Sequence, residues 1–234
     1  MQIGVIGATG TIGSRVVSEA LSRGHHVAAF SRDASQIQDS RQNITWKSVD
    51  VTDTEGIAAV LPGLDVLISG FGPGNTARDP ADAVARAIAD PKVYVRAATA
   101  LLAALDSHPG TRLIVIGGAA SLEVRPGLVF TDSGELIDQA LDQFGLPREY
   151  AAAMRGHGDA LNVFRTSNRL WTYFSPAIEI VPGERTGRFR IGGDQQPVMD
   201  ADGRSRISAE DAAIALIDEA ELPRFVQRRF TAGY

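Results

Sequence analysis

The sequence predicts an α/β protein built on a doubly wound parallel sheet, with helices on both faces and a small C-terminal region covering the substrate. Three observations predict it. A short apolar run, Gln2 to Ile6, passes directly into Gly7-Ala-Thr-Gly10-Thr-Ile-Gly13 and then into residues with helical spacing. Strand-like and helix-like segments then alternate as far as Ile116. The run Arg112 to Ile116 is apolar after its first residue, as a strand covered on both faces should be.

The elements follow in order. Gln2 to Ile6 is a buried strand, and Thr11 to Arg23 is a helix with Ile12, Val16, Val17, Ala20 and Leu21 on one face. His26 to Ser31 and Ile44 to Val49 are the second and third strands. Asp53 to Leu61 is a helix that Pro62-Gly63 ends, and Asp65 to Ser69 is the fourth strand. From about Pro80 to Leu105 the chain is alanine-rich and helical, with Pro91 dividing it in two. Arg112 to Ile116 is the fifth strand. Such alternation gives a parallel sheet with right-handed crossovers, and ligands then lie at the carboxyl ends of its strands: a Rossmann architecture.

After Gly118 the rhythm changes. Residues 121–147 read as loop with one short helix near Glu135 to Asp142, and Pro147 reads as the first residue of a helix running to about Arg165. Leu170 to Phe174 is a sixth strand, and 176–193 holds short extended pieces and turns. Ser208-Ala-Glu-Asp211 resembles a capping box opening a last helix to about Glu221, before a final strand from Phe225 to Thr231. No linker or repeat interrupts the chain, so residues 1–234 are expected to form one domain, with 121–147 and 176–207 as its substrate-covering region.

Composition narrows the function classes. With 44% hydrophobic and 22% charged residues the chain reads as soluble and globular, and its net charge of −5 argues against nucleic acid or an anionic membrane as partner. It has no cysteine, which removes disulfides, thiolate nucleophiles and cysteine metal ligands together. No run reaches the ~18 apolar residues of a membrane span. The N-terminal strand has no basic flank and belongs to the fold, so a cytoplasmic location is expected rather than secretion. The four histidines lack metal-ligand spacing, and His157 is expected at the surface. No metal site is expected; a monomer or homodimer is.

The opening strand, glycine turn and helix form a pyrophosphate-binding pattern. Glycine permits positive φ and close approach of the backbone, and the helix N-terminus offers unpaired N–H groups to an anion. Gly7, Thr9, Gly10, Thr11, Ile12 and Gly13 are the candidate residues. This spacing resembles that of extended and atypical short-chain dehydrogenases/reductases. Ile116-Gly-Gly-Ala-Ala-Ser-Leu122, Trp171-Thr-Tyr-Phe-Ser-Pro176, Pro182-Gly-Glu-Arg-Thr-Gly187 and Arg206-Ile-Ser-Ala-Glu-Asp211 are similar to segments of the atypical family known as NADH-flavin reductases. That family is similar in fold to biliverdin reductase B and the NmrA-like proteins. The resemblance runs nearly end to end and implies an NAD(P)-binding Rossmann fold.

The second strand ends Phe30-Ser31-Arg32. A cation at this place suits a ribose 2′-phosphate, with Ser31 as a second donor, so NADPH is expected. Asp33 follows, and a slight rotation would let it bind the 2′-OH of NADH instead. Asp50 and Val51 resemble the segment that holds the adenine amino group in relatives, although Asp50 could equally cap the helix near Asp53. Ser69, Gly70 and Phe71 end the fourth strand, and Gly117 and Gly118 end the fifth, where small residues let the nicotinamide ribose approach.

Catalysis is less conventional. Short-chain dehydrogenases pair a tyrosine with a lysine four residues on; here Tyr150 is followed at that distance by Met154. Ser121 falls two residues beyond the usual serine position, which Ala119 occupies. Tyr150 and Ser121 are the candidate catalytic residues, and Phe71, Tyr173, Phe174 and Arg185 the candidate substrate contacts. Arg185, Arg188 and Arg190 are expected along a hairpin. Transfer of hydride to a flavin or quinone needs chiefly that two flat rings be aligned, with a proton available from solvent. The expected function is therefore reduction by NADPH of a small flat acceptor, flavin acting as substrate and not as prosthetic group. A non-catalytic NADP(H) sensor and an epimerase-like or biosynthetic reductase are the alternatives.

Overall fold

The computed structural model describes residues 1–74, 77 and 79–234. Along the chain lie β1 (Gln2–Ile6), α1 (Thr11–Ser22), β2 (His26–Ser31), β3 (Ile44–Ser48), α2 (Thr54–Ala58), β4 (Val66–Ser69), α3 (Pro80–Ala89), α4 (Val93–Ala104) and β5 (Arg112–Ile116). They are followed by β6 (Glu123–Arg125), β7 (Leu128–Val129), α5 (Gly134–Phe144), α6 (Tyr150–Arg165), β8 (Trp171–Phe174), β9 (Glu179–Val181), β10 (Arg190–Gly192), β11 (Arg206–Ser208), α7 (Ala209–Glu221) and β12 (Arg228–Gly233). The main sheet runs β10-β12-β8-β5-β4-β1-β2-β3. Every neighbouring pair in it is parallel except β10 with β12. The doubly wound α/β fold is therefore present, and its strand order reverses between β1 and β4. That reversal opens a crevice at the carboxyl ends of the two strands.

Because side chains alternate along a strand, each strand feeds two cores. Ile3, Val5, Val66, Ile68, Ile114 and Phe174 face α1 and α7, while Leu67, Leu113, Trp171 and Tyr173 face α4 and α6. Tyr173 and Phe174 thus lie on opposite sides of the sheet. At the carboxyl edge the register aligns Ile6, Ser69, Val115 and Tyr173 in one row.

Several elements depart from the sequence reading. The helix expected from Pro147 begins at Tyr150, with Pro147 O accepting from Tyr150 N in a preceding turn. The helix expected over Asp53 to Leu61 is only five residues long, and Asp53 caps it by accepting from Glu55 N. The last strand starts at Arg228, because Gln227 takes φ +56 and Phe225 N donates to the buried Glu219 carboxylate. Residues 121–147 contain a small antiparallel pair, β6 with β7, in addition to the expected helix. The hairpin expected across Arg185 to Arg190 is absent: only Arg190 enters a strand, and it pairs with the C-terminal strand.

The capping box forms by half. Ser208 accepts from Asp211 N at 3.0 Å, but the Asp211 carboxylate does not return the bond. It instead accepts from Thr186 N and Gly187 N, both at 2.8 Å, from the Thr186 hydroxyl at 2.5 Å and from the Tyr234 hydroxyl at 3.0 Å. One fully buried carboxylate therefore pins the segment before β10 and the last residue to the start of α7. Ion pairs join α7 to α1 as well, Arg15 with Glu210 and Arg23 with Asp218 and Glu221.

Candidate cofactor and acceptor site

The turn after β1 is shaped by glycine at two points. Gly7 has φ +75, a conformation that L side chains avoid, and Gly10 N closes the turn onto Gly7 O at 2.9 Å. A Cβ on Gly13 would lie 2.1 Å from Gly7 O, so the helix can approach the turn only with hydrogen at that place. Gly10 is the N-cap of α1, no side chain caps the helix, and no acidic residue occupies its first turn. Its leading N–H groups and positive dipole end are thus left for an anion. The turn after β4 lies against this one, Gly70 N donating to Ile6 O at 2.9 Å. These features fit the pyrophosphate of a dinucleotide.

A cavity beside this turn brings together Gly7, Thr9, Ser31, Arg32, Val51 and Phe71, with Phe30 and Val49 as apolar walls. The neighbouring Asp33 accepts through Oδ1 from the Ser35 hydroxyl at 2.6 Å and from Ser35 N at 3.0 Å. Those two bonds hold it below the usual carboxylate range. Asp50 similarly accepts from Thr52 N at 2.8 Å and the Thr52 hydroxyl at 2.7 Å, which lower its pKa, with a further contribution from the charge of Arg32. Asp53 is the residue that caps α2, so the capping role weighed for Asp50 does not fall to it.

A second cavity lies across Phe71, which borders both. Ser69, Val115 and Tyr173 form its floor, Tyr94, Ala97 and Ala98 of α4 one wall, and His157 and Ala160 of α6 the other. Alanine at these helical positions is what leaves the space. The Tyr94 and His157 rings pack with centroids 4.0 Å apart, and the Tyr173 hydroxyl donates to His157 O at 3.0 Å. Burial lowers the His157 imidazole to about 4, so it is neutral at pH 7. Burial raises the phenols of Tyr94, Tyr150 and Tyr173, which remain protonated donors. Gly117 and Gly118 close the edge: a Cβ on Gly117 would fall 2.0 Å from the Tyr173 ring, and one on Gly118 would fall 2.9 Å from the His157 ring.

The profile of the NAD(P)H-binding family matches residues 7–221. This chain belongs to that family. Solved structures that resemble the whole chain include these three. One from Burkholderia pseudomallei, provisionally named an exported protein, is 38% identical with both chains fully covered and a TM-score of 0.79. One from Bacteroides thetaiotaomicron, provisionally named an epimerase, is 33% identical over 100% of this chain and 96% of that one, with a TM-score of 0.80. One from Streptococcus pneumoniae, provisionally named an NADH-flavin reductase, is 27% identical over 100% and 99%, with a TM-score of 0.77. The three names describe no common reaction. Among the described residues, no helix is long and apolar enough to cross a membrane, and no group of His, Asp and Glu could hold a metal.

The remaining candidates separate. Ser121 is buried, its hydroxyl bonded to Gly118 O at 2.8 Å and to the Ser175 hydroxyl at 2.9 Å, which places it in the packing beneath the turn. Tyr150 begins α6 and influences Tyr94, but it does not line the cavity. Phe174 is wholly buried against Phe230 on the far side of the sheet. Arg185 is bound through two nitrogens to Glu19 of α1, each at 2.8 Å, so it neither faces the cavity nor alternates with Arg188 along a strand. Segments 121–147 and 176–207 line neither cavity. His157, expected at the surface, faces inward instead. Tyr94 and His157 were hidden because a lone aromatic or histidine on a helix carries no motif. Their one signal was helical phase: His157 falls one turn from Ala153 and Ala160, on the apolar face of α6.

Proposed function

We propose that this protein is an NADPH-dependent reductase of a small, flat, conjugated acceptor, a flavin or a quinone. The observation that carries the reading is the pairing of two sites: a glycine-shaped anion turn and, across Phe71, an apolar, aromatic-walled cavity at the carboxyl ends of β4 and β5. Bound NADPH would supply a hydride there. Gly7, Gly10 and the start of α1 would hold the pyrophosphate, Val49 and Val51 would pack on the adenine, and Arg32 with Ser31 would take the 2′-phosphate. Gly70, Gly117 and Gly118 keep the strand ends free of side chains where the nicotinamide ribose must approach. Met154 stands where a tyrosine-activating lysine would be needed, which disfavours alcohol oxidation and leaves reactions that require alignment more than acid catalysis. The name of the Streptococcus pneumoniae structure supports the reductase reading, and that of the Bacteroides thetaiotaomicron structure supports an epimerase-like rival. A cytoplasmic site of action follows from dependence on a reduced nicotinamide cofactor. We further propose that one chain, as monomer or homodimer, carries the complete site in a single domain.

The test is anaerobic NADPH oxidation by purified protein, with FMN, riboflavin and a simple quinone offered in turn. Saturable, enzyme-dependent turnover is expected with at least one. Tight NADPH binding without turnover of any acceptor would sink the reductase reading and favour an NADP(H) sensor.

A further inference from the structure

The second cavity is apolar except where a few polar side chains converge on it. Ser69 is 1% exposed and is the last residue of β4. By strand alternation its side chain shares the face of Leu67 and points toward α4 and α6, into the cavity that it lines. Among the described residues no hydrogen bond is made by its hydroxyl. The imidazole of His157 lines the same cavity, and no described residue bonds to either ring nitrogen. The remaining lining is apolar apart from Tyr94 and Tyr173. Polar groups that converge on an otherwise apolar cavity are the ones that fix the orientation of a bound ligand.

Phe71 borders both cavities, so a flat acceptor lying against it would turn one edge toward Ser69 and His157.

We propose that Ser69 and His157 together bind one carbonyl oxygen of the acceptor, the oxygen conjugated with the atom that receives the hydride. The proposal rests on the reductase reading of this site. When hydride adds to the acceptor, the conjugated carbonyl π pair shifts onto the held oxygen, which becomes anionic. The Ser69 hydroxyl and the N–H of the neutral imidazole each donate to that anion, and one proton from solvent then neutralises it. The balance is one acceptor, one NADPH and one proton giving reduced acceptor and NADP⁺. A neutral imidazole is suited to this as a hydrogen-bond donor and not as an acid, and it has no charge to lose across the physiological range.

The experiment titrates protein labelled with ¹⁵N-histidine, saturated with NADP⁺, with 1,4-naphthoquinone, lumiflavin and, as the analogue without oxygen, naphthalene. The His157 resonances are assigned by their absence in His157→Gln. A saturable shift of the His157 ring nitrogens is expected with a carbonyl compound and not with naphthalene. Ser69→Ala is expected to weaken that binding about tenfold. In turnover, His157→Phe keeps a ring against Tyr94 but removes the donor, and a fall in kcat of about a hundredfold is expected. His157 resonances that ignore both carbonyl compounds would overturn the proposal, whether or not NADPH is oxidised. A shift without turnover would uphold the oxygen site and remove the reductase reading.

Discussion

Two side chains settle how charge is handled at the candidate site. Arg32 stands just past β2 and lines the first cavity, while Oδ1 of the neighbouring Asp33 accepts from Ser35. Arg32→Ala is accordingly expected to weaken NADPH about tenfold or more and NADH hardly at all, measured by fluorescence titration of both; an equal loss would remove the 2′-phosphate assignment. His157 makes its own prediction. Its ordinary value of 6.5 applies to the unfolded chain and about 4 to the folded one, so between these pH values the unfolded state binds more protons. Stability therefore rises with pH through this window and is lost as pH falls from about 6.5 toward 4, by up to about 3 kcal/mol. The phenols packed on it, Tyr94 and Tyr173, stay protonated throughout and do not oppose the effect. Urea unfolding at pH 7 and pH 4.5 should show a larger loss for the wild type than for His157→Phe. Identical losses would mean that the ring is solvated.

At the scale of elements, the first strand, turn and helix were legible because their physics is local. Gly7 needs positive φ, Gly13 needs the absence of a Cβ, and both demands appear in the sequence as glycine. Gly13→Ala is expected to drive Cβ into Gly7 O, to destabilise the protein by about 1–3 kcal/mol and to weaken NADPH at least tenfold, as read by thermal shift and titration. Retained affinity would show that the turn can widen. The second half was less legible, and for a common reason. Arg185 finds Glu19, Asp211 reaches back to Thr186, and Phe225 N reaches Glu219, all pairings that no local spacing encodes. The cofactor cradle could thus be read residue by residue. The second cavity could not, because it exists only where α4 and α6 lay Tyr94 and His157 over the row Ser69, Val115 and Tyr173.

For the whole molecule, the buried Asp211 carboxylate gathers four hydrogen bonds from residues far apart in the chain. Asp211→Ala would strand two backbone N–H groups and two hydroxyls, and a loss of about 3–5 kcal/mol in denaturant unfolding is expected. Asp211→Asn, which keeps the shape and one acceptor oxygen, should lose less; an equal loss would point to the charge alone. The same end of the molecule bears on α1. The helix whose N-terminus forms the anion turn is packed along α7 and tied to it by Arg15 with Glu210 and by Arg23 with Asp218 and Glu221, partners 195 or more positions later in the chain. During synthesis, then, the glycine turn emerges long before α7, the helix that supports α1. A nascent chain arrested before α7 would carry the whole glycine turn and still be unable to retain the nucleotide, so ligand capture would report that α7 has docked.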